Sequence, residues 1–87
     1  MQEEAKLLHS IISEIITKIR KQKGISYTDF CLGNDIPSST YDAVIKAENH
    51  VYFFNIARVV KALGLSFEEF GKMLDEELPD DFMSNEE

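Results

Sequence analysis

The side chains able to do chemistry in this chain are few, and most stand alone. His9 and His50 have no carboxylate or thiol at ligand spacing, and Cys31 is the single cysteine. Metal sites and general acid–base sites need several convergent groups, so neither histidine is expected to bind metal or move a proton. No glycine-rich phosphate loop, paired-carboxylate site or nucleophile constellation stands in the sequence. An enzyme, a metal and a cofactor are therefore not expected. What does gather is a set of short hydrogen-bonding side chains, Ser38, Ser39, Thr40 and Asp42, inside the stretch ISYTDFCLGNDIPSSTYDAVIK, residues 25–46.

That stretch carries the signals of two short helices. Ser26 is a good N-cap for a helix over Tyr27 to Leu32, because its hydroxyl can accept an orphan backbone N–H. Gly33, Asn34 and Asp35 tolerate positive φ or bond their own backbone, which reads as a turn. Pro37 has a helical φ and needs no N–H partner in a first turn, so a second helix should start at Pro37-Ser38-Ser39-Thr40 and end near Lys46. Two helices joined by about four residues make a helix-turn-helix, whose second helix fits a DNA major groove.

The elements that must hold this unit follow from hydrophobic periodicity. Between Glu3 and Lys23 the apolar positions 7, 8, 11, 12, 15, 16 and 19 have the spacing of an amphipathic helix. They cover about half its circumference, more than the ~100° needed to face one core. Lys18, Arg20, Lys21 and Lys23 crowd the C-terminal end, where positive charge suits the helix dipole, and phosphate contact is a second use open to them. Gly24 is a natural stop.

Residues 47–51 read as a loop. A further helix runs from Tyr52 or Phe53 to Leu63, with apolar residues at 53, 56, 59, 60 and 63. Ser66 with Glu69 is a capping-box signature opening a last helix, whose stripe is Phe67, Phe70, Leu74 and Leu78 and which Pro79 stops. The expected architecture is all-α: a compact five-helix domain over residues 1–78 with an extended N-terminal helix, followed by an acidic, flexible tail over 79–87. Phe82 and Met83 are the tail residues able to dock.

Charge bounds the partners. The 87 residues carry a net charge of -7, unfavourable for a nucleic-acid binder, whose affinity comes largely from neutralising phosphates. The acid is concentrated at one end. Residues 66–87 hold nine acids against Lys72, while residues 17–65 hold seven bases against four acids. No apolar run approaches the roughly 18–20 residues of a membrane span, the start is acidic rather than leader-like, and one cysteine fits a reducing cytoplasm.

Residues 20–70 resemble, without a gap, the helix-turn-helix domains of the phage repressor and Cro type, the XRE family. The resemblance is carried by Arg20, Gly24 and Ile25-Ser26, by Ser39-Thr40, and most specifically by Lys61-Ala62-Leu63-Gly64-Leu65-Ser66 with Glu68-Glu69-Phe70. It implies DNA contact by Tyr27 and Thr28 at the first motif helix and by Ser38, Ser39, Thr40 and Asp42 on the second, with Lys46 and Asn49 on the backbone. Hydroxyls can bond base edges, and a carboxylate can accept from the cytosine amino group. For each of Ser38, Ser39 and Thr40 the plain alternative is capping of the helix.

Three positions depart from the family pattern: Asp35 replaces the turn glycine, Asn34 an apolar residue, and Ile45 a glutamate that pairs with the arginine matched by Arg20. Without that glutamate, Arg20 is expected to face solvent, another acid or a phosphate. Cys31 occupies the family's usual alanine, at the tight contact of the two motif helices.

The resemblance implies a cytoplasmic, sequence-specific transcriptional regulator binding a two-fold symmetric DNA operator as a homodimer. Surplus apolar surface at Leu7, Leu8, Ile11, Ile12, Phe67, Leu74 and Leu78 is the expected dimer contact. The rival reading is a protein-interaction module on the same fold, whose acidic C-terminal helix binds a basic partner or mimics DNA.

Overall fold

The wide apolar stripe of the first helix, α1 (Gln2–Gln22), sets the architecture. A computed structural model describes residues 2–46 and 52–82. Among them the chain forms α1, α2 (Tyr27–Gly33), α3 (Ser38–Lys46), α4 (Phe53–Ala62) and α5 (Phe67–Glu77), with no strand. The domain is all-α. The excess breadth of the α1 stripe has a direct use: the helix packs against both α3 and α5, so two neighbours share it. Ile11, Ile12, Ile15 and Ile16 are all buried. Glu3 and Glu4 in the first turn and Arg20 and Lys21 in the last complement the helix dipole.

Three helix ends close in one way. The amide of a positive-φ residue bonds the carbonyl three residues back, and the next amide bonds the carbonyl five back, the Schellman pattern. At the end of α1 these bonds are Gly24 to Lys21, 2.9 Å, and Ile25 to Arg20, 3.2 Å. At the end of α4 they are Gly64 to Lys61, 2.9 Å, and Leu65 to Val60, 3.3 Å. At the end of α2 they are Asp35 to Leu32, 3.4 Å, and Ile36 to Cys31, 2.9 Å. Each closure then turns an apolar residue inward: Ile36 is buried, and Ile25 and Leu65 pack against the core.

The α2 end differs from the sequence expectation by one residue. Gly33 remains helical, and the left-handed position falls on Asp35, at φ 55°. Asn34 supports the closure by donating its side-chain amide to the Phe30 carbonyl at 2.9 Å. Helix α3 begins at Ser38, just after Pro37, whose carbonyl accepts from Thr40 and Tyr41. The capping box of α5 is complete: Glu69 N donates to Ser66 Oγ at 3.0 Å and Ser66 N donates to Glu69 Oε1 at 2.8 Å.

The core is built on Ile16, Phe30, Tyr41, Val59, Val60 and Leu63. Two expected core positions are not in it. Phe53 is outside the α4 stripe, which is Ile56, Val59, Val60 and Leu63, and Phe67 is half exposed while Phe70 takes the inward place on α5. Both stand at the first residue of a helix, where the chain has not yet come over the core. Beyond Leu78, the Phe82 amide closes one further turn onto the Pro79 carbonyl. No described helix is long and apolar enough to cross a membrane.

Candidate functional site

The two short helices α2 and α3 are joined by residues 34–37 and tied together at their polar face by one hydrogen bond. Tyr27, first in α2, donates its hydroxyl to Asp42 Oδ1 on α3 at 2.7 Å. Its ring meets Tyr41 edge-on, with centroids 5.4 Å apart, and Tyr41 in turn packs on Phe30. The bond to Asp42 raises the Tyr27 pKa, because a nearby carboxylate favours the protonated phenol; the Ser38 hydroxyl acts in the opposite sense. Tyr27 and Asp42, expected to reach outward to DNA separately, are thus engaged with each other. Asp42 keeps its second carboxylate oxygen for another donor.

Around this pair the short side chains stand outward. Thr28, Ser38 and Ser39 are exposed and Thr40 is half-buried. Thr28 and Ser38 border an open hollow with Leu32, Asp35 and Pro37. Among the described residues no hydroxyl of Ser38, Ser39 or Thr40 caps α3, so the capping alternative is not the one adopted. Cys31 lies beneath, buried, and burial pushes its thiol pKa up, as suits a packing residue rather than a nucleophile.

Arg20 corrects an expectation. Rather than solvent, an acid or a phosphate, it meets neutral oxygens: Nε donates to the Tyr41 hydroxyl at 3.0 Å and Nη1 to the Ile25 carbonyl at 2.8 Å. Ile45, in the place of the absent acid, packs against the core. Lys18 borders a hollow shared with Glu14, Glu76 and Glu77, which turns it toward acidic α5. Lys23 reaches the α4–α5 turn, its Nζ 3.9 Å from where a Cβ on Gly64 would stand. Arg58 donates to the Asp35 carbonyl at 2.9 Å and so flanks the α2–α3 turn. Lys46, exposed at the end of α3, borders a hollow with Lys6, His9, Ser10, Ser13 and Glu14. Asn49 and His50 lie outside the described residues. No cluster of metal-binding side chains occurs among the described residues.

The residues expected at a dimer contact divide. Leu7 and Phe67 are exposed, Leu8, Leu74 and Leu78 are half-buried against the core, and Ile11 and Ile12, each 6% exposed, are already covered within the chain. The last two are unavailable to a partner because α3 and α5 flank α1. Sequence reasoning missed a larger feature: Tyr52, Phe53 and Phe54 are 78%, 69% and 71% exposed, and Phe53 lies beside Phe67, centroids 6.2 Å apart. The signal was present, since consecutive helical residues point about 100° apart and three aromatics in a row cannot all face one core. Comparison of the chain with protein-family models, with curated proteins and with solved structures returns no match.

Proposed function

We propose that this chain is a sequence-specific DNA-binding transcriptional regulator of the repressor type, with α2 and α3 as its helix-turn-helix. It would act as a homodimer on a two-fold symmetric operator, without cofactor or catalysis. The observation that carries the reading is the first turn of α3: exposed, uncapping hydroxyls at Ser38 and Ser39, beside a Tyr27–Asp42 bond that links the two core-packed helices at their polar face. Short side chains let a helix backbone come close to base edges, and a fixed inter-helix angle lowers the ordering cost of binding. In this reading Ser39, Thr40 and Asp42 face bases, Tyr27, Thr28 and Ser38 line the approach, and Lys46 and Asn49 meet phosphates. Arg58 joins the phosphate contacts from its position against the α2–α3 turn.

A second reading, the protein-interaction module, is favoured by the dispersal of the lysines. Lys18 and Lys23 turn toward α5 and the α4–α5 turn, so the electrostatic footprint of a DNA binder is thin. Binding to random fragments of source-genome DNA, measured over a range of salt, separates the two. The regulator reading requires a fraction that binds specifically, with log affinity falling linearly in log salt. Absence of binding at low salt, together with loss of a protein partner on charge reversal in α5, would leave the interaction module.

A further inference from the structure

The first half of α1 precedes residue 20, where the repressor-type resemblance begins, and it carries a polar face of its own. Lys6, His9, Ser10 and Ser13 fall within about 100° of arc, since successive helical residues are turned by about 100°. Helical rise puts Lys6 and Ser13 about 10 Å apart along the axis, so the four side chains form a row rather than a point. The packing of α1 on α3 then adds a fifth member. Lys46, the last residue of α3, lines one open hollow with all four, together with Ile45 and Glu14.

We infer that this α1–α3 hollow is a phosphate seat, filled by the DNA backbone when α3 lies in its groove. The donor set selects the ligand: two ammonium groups, two hydroxyls and an imidazole N–H all offer protons to an anion. Lys6, Ser10 and Lys46 are exposed and His9 and Ser13 half-buried, so the row is open to a ligand as large as a strand. Charge points the same way. In a chain of net charge -7, two lysines face a single acid here, and that acid, Glu14, also borders the α1–α5 hollow beside Lys18. Lys46 selects the source, because a phosphate held beside it lies at the end of the helix proposed to read bases. A row about 10 Å long meets a strand of phosphates at more than one point, and it restores part of the footprint that Lys18 and Lys23, turned elsewhere, do not supply.

The inference rests on the regulator reading for the source of the phosphate, and it extends the DNA contact to a helix face outside the helix-turn-helix. Binding of the full chain to a random-sequence duplex, followed from about 50 to about 200 mM salt, reads each contact as about 0.9 in the slope of log affinity against log salt. Lys6→Gln should lower that slope by about one and weaken binding several-fold at low salt, and Lys6→Gln with Lys46→Ala should lower it by about two. Lys6→Arg should keep both slope and affinity. Ser10→Ala with Ser13→Ala should weaken binding about threefold at an unchanged slope, because hydrogen bonds are lost and no charge is. Lys72→Gln, on acidic α5 and outside the hollow, should change neither; an effect equal to that of Lys6→Gln would overturn the seat as mere net charge. A preferred sequence bound with a slope indifferent to Lys6→Gln overturns the seat and spares the regulator, whereas Lys6-dependent binding with no preferred sequence does the reverse. If no duplex binds at low salt, the DNA source is overturned, and inorganic phosphate at constant ionic strength decides the rest. Amide resonances of residues 6–13 that move with phosphate, and no longer do so in Lys6→Gln, would assign the hollow to a free phosphorylated molecule; resonances that stay still overturn the seat altogether.

Discussion

Arg20 and Tyr41, twenty-one positions apart, meet through a 3.0 Å hydrogen bond from the guanidinium Nε to the phenol hydroxyl. The bond fastens the end of α1 to the middle of α3, and the second bond of Arg20, to the Ile25 carbonyl, fastens it to the start of α2. One side chain thereby links α1 to both helices of the α2–α3 pair. A neutral hydroxyl is the acceptor because Tyr41 is buried in the core and only its tip reaches the guanidinium.

Tyr41→Phe removes the acceptor and keeps the ring. Hydrogen bonds to a charged group contribute about 1.5–3 kcal/mol, so unfolding in urea should show a loss in that range with an unchanged m-value. A loss below a few tenths would mean that water replaces Tyr41 at no cost.

Asp35 is the one described non-glycine residue at positive φ, within a closure that glycine completes at the ends of α1 and α4. Its side chain makes the left-handed position costly, and its backbone carbonyl, which Arg58 uses, would survive replacement. Asp35→Gly should therefore raise stability by about 0.5–1 kcal/mol, visible as a higher thermal midpoint. Gly24→Ala should do the opposite by about 1 kcal/mol, since φ is 72° there. Equal midpoints for wild type and Asp35→Gly would show that the turn is not strained.

The Tyr27–Asp42 bond makes a statement about pH. The folded state raises the Tyr27 pKa above 10.0 through the hydrogen bond to Asp42, so the stabilisation is whole below that value and is lost as pH rises through the folded value. In a spectrophotometric titration, the transition that disappears in Tyr27→Phe should lie above pH 10, and Asp42→Asn should bring it down. A Tyr27 transition unmoved by Asp42→Asn would show that the bond does not persist in solution.

On DNA, the roles proposed for α3 should separate by mutation. Lys46→Ala should weaken binding to all sequences and reduce the salt slope by roughly one unit, whereas Asp42→Ala should relax preference at one base pair by about 1–3 kcal/mol. Deleting residues 80–87 removes four acids and no base, and should strengthen binding to random DNA most at low salt. Uniform effects of Lys46→Ala and Asp42→Ala on every sequence would argue against base contact by Asp42.

The sequence by itself determined the elements, because their causes are local. The order and kind of the five helices, the stops at Gly24 and Gly64, the Ser26 and Ser66 caps and the exposed serines at the start of α3 depend on residues within a few positions of each other. Even the breadth of the α1 stripe was legible, as more apolar surface than one neighbour needs. Its use was not, because periodicity counts apolar faces without saying which helix covers them. Only the tertiary structure decided that α3 and α5 both cover α1, burying Ile11 and Ile12, and that Phe53 and Phe67 are left in water together. It also decided the polar pairings. Tyr27 with Asp42 and Arg20 with Tyr41 join positions fifteen and twenty-one apart. Such bonds depend on the angle at which packed helices cross, and that angle is set by the whole core rather than by any segment of it.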